Sequence, residues 1–264
     1  MNQVHTCVTS SATTVRLHHK RWRQLGRLLA FCAVILTQWI RWLLLINLSG
    51  GSRSLPARAA WLNSTCRRLL SLLNLDVRYV GEPPCGNLLV CNHLSYLDVV
   101  ALAARAPVIF VAKREVRSWL GLGPLIACAG TIFVDREHRS DVVRAGREIE
   151  RAIREGVSVC LFAEGTSSDG TQVLPFRPSL LAPAITNGWP VSFAGIRYEL
   201  PGGSVENEVC YWGEMVFGPH LLNVLGKGCI KVRVRYGIPI APGDSRKKLA
   251  VLLRSKVLQV ACGL

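Results

Sequence analysis

The chemistry of this chain is concentrated where short apolar runs give way to polar residues. The first such place is Cys91-Asn92-His93-Leu94-Ser95-Tyr96-Leu97-Asp98. Ser95 and Asp98 have the spacing of a capping box, which predicts a helix starting at Tyr96 with His93 just ahead of it and Asp98 in its first turn. A carboxylate five residues beyond the histidine can reach back to one imidazole nitrogen, fix the tautomer and raise the basicity of the other nitrogen. That is a general base with its orienting acid, lacking only the group to be deprotonated.

Two further blocks have the same character. Gly130-Thr-Ile-Phe-Val-Asp135-Arg136 delivers an arginine to the end of an apolar run, where a guanidinium can bind a phosphate through two hydrogen bonds. Leu161-Phe-Ala-Glu164-Gly165-Thr166-Ser-Ser-Asp-Gly170 delivers a carboxylate, a glycine and hydroxyls. Glycine permits close backbone approach, and Glu164 is suited to accept from a substrate hydroxyl or to hold a basic side chain. Shortly after comes Arg177, a second candidate cation.

The elements around these blocks must position them. Runs at 87–91, 108–112, 131–134 and 157–162 are short, apolar and rich in branched residues, as buried strands are. Helical patterns at 97–105, 115–120 and 141–155 lie between them, and further strands are expected at 191–196, 208–212 and 229–236, with a closing helix over 245–260. The alternation predicts an α/β domain over 79–264, with a mostly parallel central sheet flanked by helices. In such sheets, chemistry collects at the carboxyl ends of the strands.

Ahead of this domain the texture differs. Of a net charge of +15, ten units fall within residues 1–80, which hold eleven Lys and Arg and one acid, Asp76. Such an excess suits nucleic acid or an anionic membrane surface. The apolar run 28–47, preceded by the basic cluster Lys20 to Arg27, selects the membrane. Gln38 and Arg41 interrupt the run, which favours shallow, monotopic insertion over a full span, while Trp39 and Trp42 suit the headgroup zone. Residues 55–75 form an amphipathic pattern with a basic side. The expected organisation is a basic, flexible segment over 1–24, a membrane-associated two-helix segment over 25–78, and the catalytic domain, with no nucleic acid as partner. The run is longer than a signal-peptide core and lacks a small-x-small cleavage site.

Half of the residues are hydrophobic and 19% are charged, which excludes intrinsic disorder. Ten cysteines, most of them within apolar runs, show no C-x-x-C pair and no histidine at metal-ligand spacing. They read as buried free thiols on a reduced, cytoplasmic side, the inner membrane if the source is bacterial. No G-x-G-x-x-G, P-loop or G-x-S-x-G pattern occurs, so neither a nucleotide cofactor, nor a metal, nor a serine nucleophile elbow is expected.

Taken together, these blocks resemble the PlsC-like glycerolipid acyltransferase family. Its N-H-x-x-x-x-D block corresponds to Asn92-His93…Asp98 and its G-x-x-F-x-x-R block to Gly130…Phe133…Arg136. Its F-P-E-G-T-R-S block corresponds to Phe162-Ala163-Glu164-Gly165-Thr166-Ser167-Ser168, and its proline-containing strand to Trp189-Pro190-Val-Ser-Phe-Ala194. The match spans about 85–200. The resemblance implies His93 and Asp98 as catalytic residues, with Asn92, Ser95, Arg136, Glu164, Gly165, Thr166 and Arg177 binding substrate.

The implied reaction is acyl transfer from a thioester, acyl-acyl carrier protein or acyl-CoA, to the free hydroxyl of a lysophospholipid, first of all 1-acyl-sn-glycerol-3-phosphate. Two departures bear on this. Ala163 replaces the family's proline, and Ser167 stands where the family has the arginine thought to hold the acceptor's phosphate. The E-G-T-S-S-D-G variant, with its following L-P-F-R, is similar to a subset that includes lyso-ornithine lipid acyltransferases, which makes a lyso-aminolipid the alternative acceptor. Other readings are an esterase or thioesterase using Ser167, Ser168 or Ser179, and a non-catalytic lipid-binding protein. Lys113, Arg114 and Arg117 are candidates for docking the acidic donor.

Overall fold

A computed structural model describes the backbone of residues 10–48, 54–119 and 121–263, and their side chains except those of 10–20 and 45–48. The chain opens with two helices, α1 (Ser10–Leu48) and α2 (Leu55–Leu72). There follow β1 (Leu75–Val80), β2 (Leu88–Cys91), α3 (Leu97–Arg105), β3 (Val108–Lys113), a 3-10 turn (Arg114–Ser118), α4 (Gly123–Cys128) and β4 (Ile132–Val134). Then come α5 (Arg139–Arg154), β5 (Ser158–Phe162), α6 (Ala182–Asn187), β6 (Val191–Glu199), α7 (Val205–Glu208), α8 (Phe217–Leu225), β7 (Ile230–Tyr236) and α9 (Arg246–Cys262).

The seven strands form one sheet in the order β1-β7-β6-β2-β5-β3-β4, parallel throughout except for the β6–β7 pair. This is the expected mostly parallel α/β architecture. Alternate residues of each strand point to opposite faces. Leu89, Cys91, Phe110 and Phe162 enter the core shared with α2, α3 and α8. Leu88, Val90, Ile109 and Leu161 enter the core shared with α5, α6 and α9. Both faces are covered, so the central strands read as continuous apolar runs rather than as alternating ones.

Several expectations need correction. The strand at 208–212 does not form, because α7 ends at Glu208 and Val209 and Cys210 bond back to Val205 O. The helix expected over 115–120 is a short 3-10 turn. β1 was not foreseen, and the 78/79 boundary falls inside it. Residues 10–24, expected to be flexible, are helical, while residues 1–9 lie outside the described residues. Cys66, Cys91, Cys160 and Cys210 are buried thiols, but Cys32, Cys85, Cys229 and Cys262 are exposed, lying on α1, in loops and at the end of α9.

Basic residues expected to meet lipid bond instead to the protein itself. Arg23 donates to Gly226 O, and Arg27 to Leu225 O and Lys227 O. These are orphan carbonyls at the end of α8, where a cation also meets the negative pole of the helix. Arg58 on α2 does the same for Cys128 O and Ala127 O at the end of α4. The opposite side of α1 stays uncovered: Trp22, Leu25, Leu29, Leu36, Ile40 and Leu43 are all exposed. One face of α1 is therefore riveted to the domain while the other presents an apolar stripe.

Candidate active site

Sheet register places the chemistry. Cys91 on β2 pairs with Phe162 on β5 and with Ala194 on β6. Two residues beyond the first pair stand His93 and Glu164, side by side at the carboxyl ends of adjacent central strands. His93 Nδ1 lies 2.8 Å from Asp98 Oδ2. The carboxylate keeps the proton on Nδ1 and leaves the Nε2 lone pair free to accept a proton. The imidazole stacks on Phe162 with centroids 3.9 Å apart, and Phe162 stacks in turn on Phe110. His93 is partly open to solvent while Asp98 is fully buried.

Asp98 is held by more than the histidine. Its Oδ2 also accepts from Leu94 N and Ser95 N, so the carboxylate half of the capping box forms. The hydroxyl half does not: the helix begins at Leu97 and Ser95 Oγ is buried without a partner. Asp98 Oδ1 accepts from Tyr198 OH at 2.6 Å. Burial and the neighbouring Asp98 charge push the Tyr198 phenol far above its ordinary pKa, so it stays a donor. Tyr198 was missed in the sequence, although its period-two spacing from Ala194 and Ile196 in β6 puts it on the face that looks toward Asp98.

Glu164, expected to bind substrate, is held by backbone on both oxygens. Its Oε1 accepts from His93 N at 2.7 Å and its Oε2 from Leu174 N at 2.8 Å, which uses both oxygens on backbone. Burial raises its pKa to about 7 against the pull of these two bonds. Ser168 N and Oγ both donate to His93 O. The peptide of His93 is therefore clamped from both sides by the loop after β5. The Asn92 amide exchanges two hydrogen bonds with the backbone of Ile196, tying the His93 loop to β6.

Arg136 and Arg177 meet at Gly165. Gly165 has a φ of +81°, and a Cβ there would overlap Arg136 Nη1 and stand 3.0 Å from Arg177 Nε. Glycine is needed for both the turn and the approach. Arg136 does not pair with Asp135, whose carboxylate takes His138 and Arg114 instead. Asp141 caps Asp135 N and binds Arg144, which holds its carboxyl well below the usual range and fixes the strand exit. Arg136 Nε is buried and unpartnered, and burial beside Arg177 lowers its pKa to about 10. Two adjacent guanidiniums without a carboxylate on Arg136, among the described residues, form a site for an anion.

A cavity of about 470 Å³ joins His93, Arg136 and Gly165. It runs across the sheet from His93, past Phe162 and Phe110, toward α4, and is roofed by Phe31 and Ile35 of α1 and Leu62 and Leu69 of α2. Its wall is mainly apolar, as an acyl chain requires. Arg136, Gly165 and Thr166 line its mouth, with Thr166 exposed. Ser167 also lines it, but its hydroxyl is turned onto Tyr211 O. The hydroxyls of Ser167 and Ser168 are thus spent on backbone carbonyls, which disfavours either as a nucleophile. Lys113 lines the cavity too, whereas Arg114 is drawn into ion pairs with Asp135 and Asp141.

The chain is similar to several known proteins. An acyltransferase family model matches residues 83–194. The chain is 35% identical over 225 residues to a lyso-ornithine lipid O-acyltransferase of Brucella abortus, covering 79% of this chain and 82% of that protein. It is 36% identical over 136 residues to a 1-acyl-sn-glycerol-3-phosphate acyltransferase of Neisseria meningitidis, covering 50% of this chain and 53% of that protein. Among solved structures, the 1-acyl-sn-glycerophosphate acyltransferase PlsC of Thermotoga maritima superposes with a TM-score of 0.63, at 21% identity, over 92% of this chain and 97% of that one.

Proposed function

Because this chain belongs to the acyltransferase family and is an O-acyltransferase acting on lysolipids, we propose that its acceptor is a lyso-ornithine lipid and that His93 is the base. The observation that carries the acceptor is Ser167. Where the family has a third cation for a phosphate, this chain has a hydroxyl bonded to Tyr211 O. The remaining pair, Arg136 and Arg177, suits the single negative charge of a carboxylate bound bidentately. The more extensive similarity to the Brucella abortus protein supports the same acceptor. Lysophosphatidic acid is the second reading, favoured by the same arginine pair, because two guanidiniums also bind a phosphate.

In the proposed mechanism His93 Nε2 removes the proton of the acceptor hydroxyl as its oxygen attacks the thioester carbonyl. The tetrahedral intermediate collapses, the C–S bond breaks, and the leaving thiolate takes the proton back from His93. Asp98 stabilises the imidazolium between the two transfers. The acceptor is itself the nucleophile, so no covalent enzyme intermediate is needed. The acyl chain of the thioester lies in the apolar cavity, and Lys113 and Arg117 face the acidic carrier, coenzyme A or acyl carrier protein.

The protein is membrane-associated, and among the described residues one apolar helix segment, Arg21–Leu44, is long enough to cross a bilayer. The proposed placement is in the plane of the cytoplasmic leaflet, since one face of α1 is occupied by α2 and α8. Residues 25–78 then act as anchor and cavity roof for the catalytic domain over 79–264. Purified protein assayed with lyso-ornithine lipid, lysophosphatidic acid and both donor types tests the acceptor. A clear preference for lysophosphatidic acid would reverse the order of the two readings.

A further inference from the structure

The headgroup end of the cavity has a second wall that the arginine pair does not explain. Trp119, Tyr211 and Phe217 are half-buried and line it together with Glu115. The Trp119 ring is set at 83° to Tyr211 and 38° to Phe217, at centroid distances of 6.4 and 4.9 Å. Tyr96 backs them, edge-on to Tyr211 and Phe217. Its hydroxyl donates to His220 Nδ1, because His220 Nε2–H is committed to Cys210 O. Tyr96, against which the wall packs, is therefore held in place by hydrogen bonds.

Glu115 is the only carboxylate among the described residues lining the cavity, and it makes no ion pair among them. The cavity's two cations are Lys113, the last residue of β3, and Arg136, just beyond β4, with Gly165 beside Arg136. Ser167 lies between the arginine pair and the aromatic wall, since it lines the cavity with Gly165 and bonds Tyr211 O. An arginine there would set a positive charge against any cation on that wall.

Resting on the proposed acceptor, we infer that Glu115, Trp119, Tyr211 and Phe217 form a subsite for the ammonium group of a zwitterionic lysolipid, while Arg136 and Arg177 take its anion. Aromatic faces and a carboxylate are the groups that recognise an alkylammonium. Ornithine carries both poles, a carboxylate and a side-chain ammonium. Lysophosphatidic acid has only the negative pole and leaves this wall unused.

The test compares lyso-ornithine lipid with the same lipid N-acetylated on its side chain, which removes the positive charge and keeps the carboxylate and the reactive hydroxyl. For the wild-type full chain in detergent micelles, kcat/KM is expected to favour the ammonium form by about tenfold. Glu115→Gln and Trp119→Leu should each bring that ratio close to one, mainly through KM for the ammonium form. An unchanged ratio in both variants, or a wild-type ratio of one, overturns the subsite while leaving the acceptor reading in place. Turnover of lysophosphatidic acid with none of lyso-ornithine lipid overturns the acceptor reading, and the subsite with it.

Discussion

Tyr198 donates a 2.6 Å hydrogen bond to Oδ1 of Asp98, the carboxylate oxygen that His93 does not use. The two residues lie a hundred positions apart, on β6 and α3, and both are buried. Every oxygen of Asp98 thus has a donor, and the carboxylate cannot rotate away from the imidazole. Tyr198→Phe leaves a buried acceptor unsatisfied, a cost of about 1–3 kcal/mol. We expect kcat to fall about tenfold with KM for both substrates little changed. Steady-state kinetics of the variant checks this, and an unchanged kcat removes Tyr198 from the positioning of the base.

Glu164→Gln is not a neutral exchange, because both carboxylate oxygens accept from backbone N–H groups. Glutamine supplies one acceptor and turns its NH2 against the other donor. The variant should lose activity through kcat, because the His93 peptide is no longer clamped. A merely acceptor-binding Glu164 would change KM instead.

The same residue gives a pH dependence of stability. Its folded pKa of about 7 lies above the usual carboxylate value near 4.5. The native state therefore holds the proton more tightly than the unfolded chain between these values. Stability from this group is complete below about pH 4.5 and is lost as pH rises through 7, by a total of about 3 kcal/mol. Thermal unfolding at pH 5 and pH 8 should show a smaller difference in Glu164→Gln than in the wild type.

Gly165→Ala tests the anion site. Its Cβ would collide with Arg136 and require a strained φ of +81°, which costs about 1–2 kcal/mol before any repacking. Displacing Arg136 should raise KM for an anionic acceptor by about tenfold or more, with Arg136→Ala giving the same pattern. Equal loss on a lysolipid without an anionic headgroup would point to general disruption of the loop.

The exposed stripe on α1 predicts how the protein meets the membrane. Leu36 and Ile40 are about half exposed, at 61% and 47%, and burying the remaining surface of one such side chain in lipid contributes roughly 1–2 kcal/mol. Leu36→Glu should release much of the protein from vesicles in a flotation assay. Substitution of Arg23, which is spent on Gly226 O, should instead loosen α1 from α8.

The sequence carried the local part of this site well. His93 and Asp98 are five residues apart in the chain, and capping chemistry already placed both at one helix start. The arginine of the second block and the glycine of the third were also visible, each at a strand end. What could not be read was set by strand order. Glu164 and Asn92 look like ligands in a motif, but their partners, the backbones of His93 and Ile196, are neighbours only because β2 lies between β5 and β6. Tyr198 was hidden for the same reason. Arg23, Arg27 and Arg58 read as membrane charges, since nothing local shows that the last carbonyls of two distant helices would claim them.

The central claim is that His93, oriented by Asp98, is the base for acyl transfer to a lysolipid hydroxyl. Its most direct test is the turnover of thioester and lyso-ornithine lipid by purified His93→Ala, with secondary structure matched to the wild type. The account predicts a loss of about 10²–10⁴-fold or more in kcat, with KM for both substrates near the wild-type values. Transfer at wild-type rates by the folded variant would contradict it.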